Sequence, residues 1–191
     1  MPKPRRPRDP FEQLIDEALE FDRYIPYDEA WGFTSELASV ADRIDKLRAA
    51  EPGRAAALYE MLLAGLSDKA EDIDDSDGEM GELAGDLIGR WIRARRAATA
   101  DPDETARNLL AWEEDDPYGM YNDCGCQAVE AFDKAGLAAY EKQVRARFER
   151  SRMKLGGDVL RVIYTAQRDI DAYMDLCERT GFEPEDCEAI A

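Results

Sequence analysis

A chain of 191 residues is long enough for one well-buried domain and short for two independent ones. Its 43 Asp and Glu against 25 Lys and Arg leave a net charge of −18, which disfavours nucleic acid and anionic membranes as partners through any general field. Histidine is absent, which excludes Ser–His and Cys–His nucleophile pairs and every histidine-containing metal site.

Residues 1–9 are rich in Pro and Arg without an apolar period and read as a disordered basic tail. No signal-peptide core follows them, and no apolar run approaches the ~18–20 residues of a membrane helix. The expected location is therefore cytoplasmic, with no membrane contact and with the four cysteines as reduced thiols.

Asp9-Pro10 supplies a cap and a first-position proline for a helix carrying Phe11, Leu14, Ile15, Ala18 and Leu19, which Ile25-Pro26 ends. Phe33, Leu37, Val40, Ala41, Ile44 and Leu47 mark one face of a second helix from about Asp28 to Glu51-Pro52-Gly53. A third stripe runs from Ala55 to Ala70 and Ile73, and a fourth, the cleanest, from Met80 through Leu83, Leu87 and Trp91 to Ile92. Asp101-Pro102 opens a helix through Leu109, Leu110 and Trp112 that Asp115-Asp116-Pro117-Tyr118-Gly119 breaks. Two helices are expected over 122–135 and 137–154, separated by Gly136, with Phe132, Tyr140, Val144 and Phe148 turned inward. Gly156-Gly157 punctuates the chain again before two short helices joined at Arg168-Asp169 and closed by Thr180-Gly181. Pro184 starts a last helical signal over 185–191.

This order predicts an all-α fold in which residues 10–191 form one unit. Stacked antiparallel helix pairs, an α-solenoid of tetratricopeptide or HEAT-like type, are the expected architecture, with a closed helical bundle as the rival. The spacing is too irregular for an exact internal repeat.

The acidic segment between the third and fourth helices is the first place to look for chemistry. Asp75-Ser76-Asp77-Gly78 imitates the middle of an EF-hand loop, but with Gly78 at position six the first ligand would be Ile73 and the twelfth Ala84, so the register fails. A non-standard cation site at Asp74, Asp75 and Asp77 is the weaker reading. Ser76-x-x-Glu79 as a capping box, with acids at the positive end of the following helix, is the stronger, and Gly78 and Gly81 would admit a neighbouring helix. Cys124-x-Cys126 is half of a zinc or redox motif without its second half, and Cys126, Cys177 and Cys187 read as buried thiols. The runs Arg90 to Arg96 and Lys142 to Lys154 read as cations paired with nearby carboxylates. Tyr118, Tyr121, Arg145 and Arg150 are the candidate interaction surface, both tyrosines being expected within reach of solvent.

Several stretches carry a family resemblance. Asp74-Asp75-Ser76-Asp77-Gly78-x-x-Gly81, Ala97-Ala98-Thr99-Ala100-Asp101-Pro102, Leu110-Ala111-Trp112, Ala135 to Tyr140, and Asp171 to Cys177 with Glu185 to Ala191 resemble bacterial uncharacterised α-helical repeat domains of the kind that accompany SWIM zinc fingers. The likeness spans about residues 25–191 and implies a helical repeat fold. In those relatives the array commonly continues further, which implies a chain cut short after opening its last helix. The finger itself is missing: Cys124 and Cys126 match its Cys-x-Cys, but no histidine completes the Cys-x-His. No cofactor and no reaction follow from the resemblance.

The expected role is a non-catalytic scaffold that binds a protein partner, with a homo-oligomer left open and direct nucleic-acid binding disfavoured. An acidic regulator imitating nucleic acid, and an enzyme using paired carboxylates or a divalent metal, are the alternatives.

Overall fold

A computed structural model describes residues 9–121, 124–151 and 154–187, the side chains of 154 and 155 excepted. Among the described residues the protein is all-α, with nine α-helices and no strand. These are α1 Pro10–Leu19, α2 Tyr27–Arg48, α3 Pro52–Asp68, α4 Glu79–Ala97, α5 Pro102–Glu114, α6 Gly125–Ala131, α7 Lys134–Ser151, α8 Lys154–Gln167 and α9 Ile170–Thr180. None is long and apolar enough to cross a membrane. The residues expected as a tail (1–8 of them) and the last four of the expected final helix lie outside the described chain.

Aspartate caps set four of the helix starts. Asp9 accepts from Phe11 N at 2.8 Å, Asp101 from Asp103 N at 2.9 Å, Asp133 from Gly136 N at 2.9 Å and Asp169 from Ala172 N at 3.0 Å. Each such cap contributes about 1 kcal/mol. The Asp9 carboxylate also receives Arg54 Nη2 at 2.7 Å and Nε at 2.8 Å, fixing the start of α1 to the start of α3.

Helices pack mainly on partners one or two places along the chain: α1 on α2 and α3, α2 on α3 and α4, α4 on α5 and α6, α5 on α7, α6 on α8, and α7 and α9 on α8. One contiguous core runs through them from Ile15 to Cys177. Its hinge point is α4, whose stripe from Met80 to Ile92 is buried as the periodicity predicts. Trp91 is fully buried there, donates from Nε1 to Glu60 Oε1 at 2.9 Å and packs on Trp112 with ring centroids 4.6 Å apart.

Buried carboxylates lock the later helices. Glu113 on α5 accepts from Tyr140 OH at 2.9 Å and Arg147 Nη1 at 3.1 Å, both on α7. Burial outweighs these two donors and pushes the Glu113 carboxyl up to about 7. Asp186 accepts from Glu183 N at 2.6 Å, Tyr173 OH at 2.6 Å and Arg161 Nε at 3.0 Å, and these bonds hold its carboxyl down at about 2.

Several boundaries differ from the sequence reading. The first helix stops at Leu19 rather than at Ile25-Pro26, because Phe21 turns inward to pack edge-on against Phe33, 5.3 Å between centroids. The third helix stops at Asp68, and a 3-10 turn at Ala70–Asp72 leads into Ile73, which is extended. Ile73 pairs with Ile25 in a short parallel bridge: Ile25 N donates to Asp72 O at 2.8 Å and Asp74 N to Ile25 O at 2.9 Å. Both isoleucines are buried, so the bridge satisfies backbone groups that water cannot reach. The break after α6 falls at Phe132-Asp133, not at Gly136, which sits in the first turn of α7; a Cβ there would lie 2.4 Å from Phe132 Cδ1. Gly156 and Gly157 lie inside α8, their backbones against Phe148, rather than ending a helix.

Candidate functional site

The segment from Ile73 to Glu82 turns the chain from α3 into α4 and forms one wall of a cleft of about 700 Å³. Asp74 Oδ1 accepts from Ser76 N at 3.2 Å and from the Ser76 hydroxyl, which closes a tight turn. Gly78 follows with φ +76°, a left-handed conformation that favours glycine, and α4 begins at the next residue. Asp75 Oδ1 then accepts from Met80 N at 2.9 Å and supplies the side-chain acceptor of the first turn. The capping box read from Ser76 and Glu79 is therefore absent. The turn places Ser76 before the capping position and gives its hydroxyl to Asp74, while Glu79 Oε2 accepts from Thr34 Oγ1 at 3.3 Å.

The facing wall is the loop after α5. Asp116 accepts from Tyr118 N at 3.2 Å and from Tyr121 N at 2.7 Å, and Gly119 has φ +72°. This turn sends the two tyrosines to opposite sides. Tyr118, 52% exposed, stands at the rim and donates to the Glu71 carboxylate, which raises its phenol pKa. Tyr121, 5% exposed, shares a hydrogen bond with Ser67 Oγ at 2.6 Å and anchors the loop to α3; burial pushes its phenol up to about 12. Tyr121 is thus a structural residue and not part of the reachable surface expected from sequence.

Tyr24, from the link between α1 and α2, completes the rim, and Gln127 of α6 lines the back. The Gln127 amide fits because α4 presents Gly85: a Cβ there would lie 3.1 Å from Gln127 Cδ. Gln127 Oε1 is buried and has no hydrogen-bond partner among the described residues. Among the described residues the lining carries the carboxylates of Asp74, Asp75, Asp77 and Glu82 and no Lys or Arg. Tyr27, the first residue of α2, donates to Asp77 Oδ2 at 2.5 Å, which raises the tyrosine pKa, and Trp31 stands exposed one turn further on. Tyr24, Tyr27, Trp31 and Tyr118 are four of the seven large hydrophobic side chains exposed among the described residues, so this end of the molecule concentrates uncovered aromatic surface.

Asp74, Asp75 and Asp77 share this lining, yet each holds a different protein donor. Among the described residues no three Cys, Asp or Glu side chains form a group that could hold a metal ion. Gly81 also lines the cleft, and its neighbour is the Met120 carbonyl of the loop rather than the helix expected there. Arg145 and Arg150 stand apart on α7: Arg145 is paired with Glu141 at 2.5 Å and both are exposed away from this lining. Tyr24, Met120 and Gln127 were not singled out by the sequence, because the cleft is assembled from four distant segments.

The basic runs are largely paired with carboxylates: Arg90 with Asp42 and Asp86 at 2.7 Å, Arg95 with Glu104 at 3.2 Å, Arg96 with Asp133 at 3.3 Å, and Lys142 with Asp103 at 3.1 Å. Arg152 lies outside the described residues, as does the Lys154 side chain. None of the four cysteines is in a disulfide. Cys124 and Cys177 are buried, whereas Cys126 and Cys187 are exposed, which corrects the expectation of burial for those two. Cys124 and Cys126 stand two residues apart at the start of a short helix, a spacing that points them to different faces.

No family model, no curated protein and no solved structure matches this chain.

Proposed function

We propose that the chain is a non-catalytic helical scaffold whose acidic, tyrosine-rimmed cleft binds a basic segment of a protein partner. The carrying observation is the lining itself: four carboxylates, exposed Tyr24 and Tyr118, and no cation among the described residues. Arg or Lys entering such a site gains from the carboxylate field and from the tyrosine faces, about 0.5–1 kcal/mol per cation–π contact. The unpartnered Gln127 Oε1 offers an acceptor to an N–H donor. Packing between helices close in the chain favours a stacked array over a closed bundle as the frame that presents this cleft. The cleft carboxylates hold the protein's own donors instead of facing one another, which supports binding over acid–base catalysis.

Fluorescence anisotropy with a labelled Arg/Lys-rich peptide, against a Glu-rich peptide of equal length, tests the reading. Binding of the basic peptide alone, weakened by salt and reduced at least about tenfold in Asp77→Lys/Glu82→Lys, is expected, since both substituted positions are exposed. Equal affinity in wild type and variant refutes it.

A further inference from the structure

We propose that the cleft receives the basic N-terminal segment of a second copy of this chain, in a reciprocal exchange that closes at two copies. The inference rests on the reading of the cleft as a site for a basic segment and names its occupant.

Residues 1–8 carry Lys3, Arg5, Arg6 and Arg8 and no acid. The other basic runs are poorly placed to serve: Arg90, Arg95, Arg96, Lys142, Arg145 and Arg147 are each already held by carboxylates of their own chain. The complement to the cation-free cleft lies in this segment.

Geometry selects a second copy over the chain's own cleft. Asp9, where the segment joins the fold, is clamped to Arg54 at the start of α3, with contacts of 2.7 and 2.8 Å. The cleft begins beyond the other end of α3, at Ala70 and Ile73. Between Arg54 and Asp68 the helix rises about 21 Å. Backbone from Asp9 to Arg6 extends at most about 11 Å, so Arg6 and Arg8 fall short of the cleft of their own chain even with their side chains stretched. Only Lys3 and Arg5, fully drawn out, approach it. A neighbouring molecule can bring all four cations to the site. Because each copy has one such segment and one cleft at opposite ends of α3, mutual donation satisfies both and leaves no open end to grow from.

Two charge-reversed proteins test this by sedimentation equilibrium. Asp77→Lys/Glu82→Lys gives a basic cleft with a basic tail, and Arg5→Glu/Arg6→Glu/Arg8→Glu an acidic tail with an acidic cleft. Wild type at about 100 μM and low salt is expected at twice the chain mass, dissociating at least about tenfold more readily in 1 M salt. Each variant alone is expected as a monomer, and an equimolar mixture of the two as a heterodimer, because each tail then meets a cleft of opposite charge. Circular dichroism melting checks that both variants are folded, and the tail variant gives a second, independent reading. A monomeric wild type, a dimer indifferent to both reversals, or a mixture that stays monomeric overturns the exchange. Binding of a free basic peptide to the cleft of a monomeric wild type defeats only this inference, whereas failure of every basic peptide to bind also removes the function proposed above.

Discussion

Replacing Glu113 by Gln removes a buried carboxyl group whose pKa burial has raised from 4.5 to about 7. A folded value above the unfolded one means that folding takes up a proton. The associated stability is fully present below about pH 4.5 and is lost as pH rises through 7. For one such group, moving from pH 5 to pH 8 removes on the order of 2–3 kcal/mol. The chain has no histidine to blur this window. Self-repulsion of the −18 charge acts in the same direction, but it is common to wild type and variant. Urea unfolding of both proteins at pH 5, 6, 7 and 8 isolates the group. Wild-type stability is expected to fall by roughly 2–3 kcal/mol more than that of Glu113→Gln across the range, with Gln still able to accept from Tyr140. Parallel pH profiles for the two proteins would refute the assignment.

Other substitutions test the corrected local structure. Gly136→Ala is expected to cost about 1–3 kcal/mol in thermal unfolding, because its Cβ would meet the packed Phe132 ring at 2.4 Å. Gly53→Ala, with open space around it, should instead stabilise by up to ~1 kcal/mol. Asp75→Ala is expected to lower stability by about 1 kcal/mol through loss of the acceptor for Met80 N, and Ser76→Ala to change it by less than half as much; the reverse order by urea titration would restore the Ser76 cap. Tyr121→Phe should cost about 0.5–1.5 kcal/mol in urea unfolding by removing the hydrogen bond between Tyr121 and Ser67, while Tyr118→Phe at the exposed rim stays within about 0.5 kcal/mol.

The long helices were legible because their evidence is periodic. Met80, Leu87 and Trp91 recur at the helical step and are all buried. Punctuation was less legible, since one residue type serves several purposes. Gly136 reads as a breaker, but its role is to leave room for Phe132. Ile73 continues the helical stripe of α3 because the core needs an apolar residue there, although its backbone has already left the helix. Within Asp74-Asp75-Ser76-Asp77 several oxygens compete for the same amides, and the left-handed Gly78 decides in favour of Asp75. The acidic wall of the cleft was visible as a run of residues. Its tyrosine rim and Gln127 were not, because distant segments meet only through the packing of α3, α4 and α6.

The short bridge between Ile25 and Ile73 ties the entry to α2 to the exit from α3. Two strands of chain far apart in sequence thereby become a single latch, and the helices between them form a closed lobe. Opening that lobe exposes both isoleucines and breaks two backbone bonds together, so the amides of Ile25 and Asp74 should exchange with solvent only when the lobe comes apart. The carboxylates just beyond the latch inherit its rigidity. They form a fixed array of charge, so a segment docking there as proposed above would meet a cleft that has little freedom of its own to lose.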